Sequence, residues 1–158
     1  MDATSEPSPL EAHLGYWLRS ASNHVSLGLS QKLAARDVTL AEWVLLRSIH
    51  ARDVGAPNRL ARDLGMTKGA ISKLVDRLAG KGLASKAPMT SDRRHQDVWL
   101  TPEGRALVPE LAALADANDA EYFGHLSVAE REMLQSLLRD IIQRRVVSAL
   151  AADQDGEQ

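Results

Sequence analysis

Between Thr67 and Arg77 stands a set of side chains suited to holding an anion: Thr67, Lys68, Gly69, Ser72, Lys73 and Arg77. The two lysines can neutralise phosphates or reach a guanine edge, Ser72 can donate or accept, and Arg77 lies a turn further along. Gly69 and Ala70 are small, which permits close approach of a partner to the backbone. Thr67 falls where the N–H groups of a starting helix favour negative charge. Asp76 interrupts this set, and the sequence leaves its role open: it can pair with Lys73 or Lys68, or read a cytosine. A second cationic feature is Arg93-Arg94 within the polar stretch Pro88 to His95. Adjacent arginines suit a narrow, electronegative minor groove, and Asp92 suits the orienting of one of them. The sequence does not choose which arginine enters.

The charge distribution supports an anionic partner where the total does not. The 158 residues carry a net charge of −2. Pro57 to Leu100 holds nine Lys or Arg against four Asp, a local charge of +5, and the remainder carries −7. A basic middle between acidic flanks is the pattern of a local anion-binding surface, and together with the helix-turn-helix and hairpin read below it makes double-stranded DNA the expected partner. A winged module built for protein contact would instead expose apolar residues on that face.

Other chemistries find little support. With no cysteine there is no disulfide framework or thiol switch. His13, His24, His50, His95 and His125 fall in no metal-binding spacing, so no metal site, cofactor or catalytic residue is expected. Phosphate-cradling glycine motifs and nucleophile elbows are absent from the chain. No basic stretch leads into an apolar run at the N-terminus, and no apolar run approaches about 18 residues, so a cytoplasmic protein without a membrane partner is expected.

The elements that must hold these residues can be read from periodicity and caps. A first helix is expected from Leu10 to Ala35, with Leu14, Trp17, Leu18, Val25, Leu29 and Leu33 on one stripe. Thr39 and Glu42 form a capping box that opens a second helix ending near Arg52, before the Gly55-Ala56-Pro57 breaker. Asn58 to Leu64 reads as a short helix stopped by Gly65. Thr67 caps the next, Lys68 to Gly80, whose Ile71, Leu74, Val75 and Leu78 recur at helical spacing. Two short helices about a tight turn make a helix-turn-helix. Leu83 to Ala87 and Asp97 to Leu100 read as a hairpin, and the whole as a winged helix. Thr101-Pro102-Glu103 starts another helix, with Pro109 predicting a kink. Ser127 and Glu130 box the last helix, with Met133, Leu134, Leu137, Leu138, Ile141 and Ile142 inward.

This order, and three stretches in particular, resembles the MarR family of bacterial transcription regulators. They are Arg59-Leu60-Ala61-Arg62-Asp63-Leu64-Gly65, Thr67 through Leu83, and Asp92-Arg93-Arg94 followed by Val98 through Gly104. The resemblance implies a homodimer with intertwined first and last helices, a recognition helix in the major groove and a wing arginine in the minor groove. It also implies a repressor that binds a palindromic operator and is released by a small aromatic or anionic effector. His13, Trp17, Trp43 and Arg47 are the candidate effector contacts. Relatives that sense oxidants use a reactive cysteine, which this chain lacks. The expected fold is thus mainly α with a small β-hairpin wing. Residues 1–9 and 151–158 read as disordered tails, 36–101 as the winged helix-turn-helix DNA-binding domain, and 10–35 with 102–150 as a helical dimerisation region.

Overall fold

The computed structural model describes residues 7–86 and 97–155, with side chains through residue 144. A 3-10 turn (Leu10–Ala12) precedes α1 (Leu14–Ala34), α2 (Leu40–His50), α3 (Pro57–Asp63) and α4 (Lys68–Gly80). Strands β1 (Ala84–Lys86) and β2 (Val98–Leu100) follow, then α5 (Pro102–Phe123) and α6 (Val128–Asp155). The chain divides into one compact unit through Asn118 and a second from Asp119 onward.

In the first unit a single apolar core forms around α2, α3, α4 and the hairpin. Leu45, Leu46, Ile49, Leu60, Ile71, Leu78 and Leu111 have almost no exposed surface. Each such side chain contributes about 1.5–3 kcal/mol by leaving water. The four residues expected to face inward from α4, Ile71, Leu74, Val75 and Leu78, are all buried.

Three helices close in the same way. After α1 the Val38 and Asp37 amides donate to the Leu33 and Ala34 carbonyls, with Asp37 left-handed at φ 51°. After α3 the Met66 and Gly65 amides reach Ala61 and Arg62, and after α4 the Leu83 and Gly82 amides reach Leu78 and Ala79. Gly65 and Gly82 take φ 62° and 71°, a conformation that costs glycine nothing. The first of these closures falls on an aspartate, so α1 ends without the glycine that marks the other two.

The hairpin is antiparallel, with Ala84 opposite Leu100, Ser85 opposite Trp99 and Lys86 opposite Val98. Val98 also pairs with Gly55: the Gly55 amide donates to the Val98 carbonyl at 2.7 Å, and the Val98 amide donates back at 2.9 Å. Gly55 is therefore a pairing position as well as a breaker. A β-carbon there would stand 2.7 Å from Leu60 Cδ1 and 3.0 Å from Ile49 Cγ1.

The expected first helix is broken. Its start is a separate 3-10 turn, and His13 is extended at φ −99°, ψ 122°. The Trp17 indole N–H donates to the Glu11 carbonyl at 2.9 Å, giving that oxygen a side-chain donor across the break. Further along, the buried Asn118 of α5 donates to the Val25 carbonyl at 3.2 Å and accepts from Lys32 Nζ at 3.1 Å, which ties α5 to α1. Gly104 lies where α5 meets the Leu83 backbone so closely that a β-carbon would stand 2.0 Å from the Leu83 carbonyl oxygen. The α5 helix continues through Pro109.

In the second unit the Ser127–Glu130 capping box is formed, with the Glu130 carboxylate accepting from the Ser127 amide at 2.8 Å. Two expectations fail there. The residues assigned inward on α6 are largely exposed: Met133 at 62%, Leu137 at 54%, Ile141 at 49% and Ile142 at 63%. The helix also runs to Asp155, so residues 151–155 are helical and not an irregular tail.

Candidate nucleic-acid interface

Thr67 opens α4 by accepting from the Ala70 amide at 3.1 Å through its hydroxyl oxygen, which leaves the hydroxyl hydrogen available to donate outward. Lys68, Gly69, Ser72, Lys73 and Arg77 are all exposed along one side of α4. No protein atom crowds the position that a Gly69 β-carbon would take. Packing therefore does not require glycine there. Among the described residues no carboxylate pairs with Lys68, Lys73 or Arg77. Their charge is thus unspent within the described structure and available to phosphate oxygens.

Asp76, whose role the sequence left open, pairs with Lys86 of β1. Neither Lys68 nor Lys73 is its partner. The contact joins the outward face of α4 to the first strand of the hairpin. Lys86 belongs to the neighbourhood of the site, and sequence reasoning missed it because ten residues and a turn separate the two. Arg93 and Arg94, with Asp92, lie outside the described residues.

The turn-helix unit is held by further ion pairs. Arg52 Nη2 meets Asp63 Oδ2 at 2.9 Å, joining the end of α2 to α3, and Arg105 Nη1 meets Asp53 Oδ1 at 2.8 Å, joining α5 to the loop before α3. Among the described residues the most enclosed charge is Glu42, at 1% exposure. Burial pushes its pKa up. Against that, the Thr39 amide at 2.8 Å and Lys81 Nζ at 3.0 Å stabilise the carboxylate, and the net result lies below the ordinary glutamate value.

The four candidate effector contacts differ in their surroundings. Trp43 is packed in the core at 8% exposure. His13, Trp17 and Arg47 are exposed, with Trp17 set edge-on to Tyr16 at a centroid distance of 5.2 Å. A hollow of about 330 Å³ beside the α1–α2 turn is lined by Ser30, Ala34, Asp37, Val38, Thr39 and Leu40, and by none of the four. Among the described residues no group of His, Asp and Glu could hold a metal ion, and no helix is long and apolar enough to cross a membrane.

Comparison with known proteins agrees with this geometry. The profile of the MarR family matches residues 38–96. The transcriptional regulator HosA of Escherichia coli is 27% identical over 131 residues, covering 79% of this chain and 97% of HosA. A mutant MarR from E. coli, solved in complex with operator DNA, superposes with a TM-score of 0.74 at 27% identity, covering 81% of this chain and 92% of that one. BpsR of Bordetella bronchiseptica, whose DNA binding is regulated by 6-hydroxynicotinic acid, gives a TM-score of 0.76 at 26% identity, covering 87% of this chain and 99% of its own. Hairpin, turn-helix and sequence all point the same way: residues 38–96 match the MarR family, and most of the chain is similar to regulators of that family.

Proposed function

We propose that this protein is a transcription regulator that binds a palindromic operator as a homodimer and represses by occupying it. One observation carries the reading: the side of α4 opposite its buried stripe is cationic, polar and exposed from Lys68 to Arg77. A helix of that kind fits the major groove, where each base pair presents a distinct donor and acceptor pattern. The operator complex of the similar MarR supports the same use here. Lys68, Lys73 and Arg77 neutralise phosphates or reach guanine, Thr67 donates to a phosphate, and Ser72 reads a base edge. Arg93 and Arg94 take the minor groove. The protein works by binding, in the cytoplasm, and catalyses nothing.

One such helix covers few base pairs, so two copies are needed. The apolar residues exposed on α1 (Leu14, Trp17, Leu18) and α6 (Met133, Leu137, Ile141, Ile142) support the second copy, because uncovered apolar surface costs about 25 cal/mol per Å². Residues 10–35 and 102–150 form the dimerisation region in this reading, and 36–101 the reader. An aromatic or anionic effector, of the kind that regulates BpsR, releases the operator.

Selection of bound sequences from a random duplex pool tests the reading directly. The expected result is a palindrome with half-site centres about 10 base pairs apart, or a multiple of that. A pool that shows no enrichment overturns it. Light scattering in the micromolar range checks the dimer, and titration with 6-hydroxynicotinic acid, read by release of labelled operator, checks the effector.

A further inference from the structure

Lys81 is the first residue beyond α4, and its ammonium turns back toward the other end of the reader. It meets the Glu42 carboxylate at 3.0 Å and the Asp37 carbonyl, with the Asp37 carboxylate at 3.6 Å. Glu42 is buried and already accepts from the Thr39 amide, so one carboxylate closes the cap of α2 and holds the lysine. Asp37, just beyond α1, is left-handed, a conformation that Asp tolerates better than most residues but less freely than glycine. A cation bound to its carbonyl stabilises that turn. The Lys81 main chain is fixed in turn, because its amide donates to Arg77 and the next two amides close α4 on Ala79 and Leu78. The contact thus runs between two firmly held ends: the α1–α2 turn and the C-terminus of α4.

We infer that Lys81, with Glu42 and Asp37, is a positioning strut that sets the tilt of α4 relative to α1 and thereby the half-site spacing that the dimer accepts. The inference rests on the regulator reading above. Leverage makes it consequential. Thirteen residues of helix span about 20 Å, so a tilt of about 10° at the Lys81 end moves the Thr67 end by about 3.4 Å, one base-pair step. A dimer carries two such levers, and α1 belongs to the region that would join them. Lys81 itself need not touch DNA for its loss to be felt there.

The experiment measures affinity for the selected palindrome and for versions with the half-sites moved apart or together by one and two base pairs, at several salt concentrations. The variants are Lys81→Met, which keeps the apolar stem, Glu42→Gln, which keeps an acceptor for the Thr39 amide, and Lys81→Arg as the conservative rescue. Lys73→Ala serves as the contact-type control. Thermal melting accompanies each. The strut predicts that Lys81→Met and Glu42→Gln lower the preference for the best spacing by about three- to tenfold with the salt slope unchanged, and that Lys81→Arg restores it. The control should weaken all spacings alike and lower the slope by about one.

A Lys81→Met protein with an unaltered spacing profile overturns the strut. So does a uniform loss with a reduced slope, which would make Lys81 a phosphate contact. Unfolding of both Lys81→Met and Glu42→Gln makes the cluster a stability element and also overturns it. Wild-type protein that binds no member of the pool brings down the regulator reading itself, a result distinct from a sharp wild-type optimum that the variants leave intact.

Discussion

The helices α4 and α6 carry the same kind of apolar repeat and meet different fates. On α4 the stripe Ile71, Leu74, Val75, Leu78 is covered completely by elements of its own chain, and the opposite side is left free and cationic. On α6 the comparable stripe, Met133 to Ile142, stands largely in the open. Periodicity defines which side of a helix is apolar in both. It does not say what covers that side. A stripe covered from within builds a reader, whereas one left uncovered asks for another surface, which in our reading is a second copy of the chain.

Substitutions can break this contrast. Leu78→Ala should cost about 2–5 kcal/mol at any protein concentration, because the cavity lies within one chain. Ile141→Asp should leave the reader folded but abolish the concentration dependence of melting, since its partner would be a second copy. Melts of both variants over a hundredfold range of concentration check this pair, and identical behaviour would end the distinction between covered and uncovered stripes. Gly104→Ala should follow, at about 1–3 kcal/mol or more, by forcing α5 away from the Leu83 carbonyl. Denaturant unfolding checks it, and no loss would mean that the hairpin and α5 are not closely seated.

Smaller effects sharpen the picture of the reader. Thr39→Ala should cost about 1 kcal/mol through the lost cap. In the same cluster the Glu42 pKa is lowered in the folded state. Its contribution is therefore present above the unfolded value near 4.5 and lost as pH falls through and below it, where the unfolded chain binds the proton more readily. Glu42→Gln should flatten that part of the acid-unfolding curve, and an unchanged curve would assign the acid sensitivity elsewhere. Asp76→Asn should be the mildest, at most about 1 kcal/mol in stability, because the Asp76 side of the pair with Lys86 is exposed.

The local elements of the fold were legible in the chain. Capping hydroxyls at Thr39, Thr67, Thr101 and Ser127 act within four residues, and each forms its bond. Gly65 and Gly82 mark their helix ends because no other residue takes a left-handed turn so freely. Asp37 carries no such mark, yet the end of α1 expected at Ala35 lies within one residue of the observed Ala34.

The sequence by itself therefore determined the winged helix-turn-helix, its covered stripe and its cationic face, since these depend on spacings shorter than a helix. Only the tertiary structure decided that Trp43 is core, that His13 breaks the first helix, that Asp76 pairs with Lys86, that Gly55 pairs with Val98 and that Lys81 closes on Glu42. Charges and amides many residues apart meet only after the core has packed. No local pattern distinguishes the lysine that turns inward from the lysines left facing out.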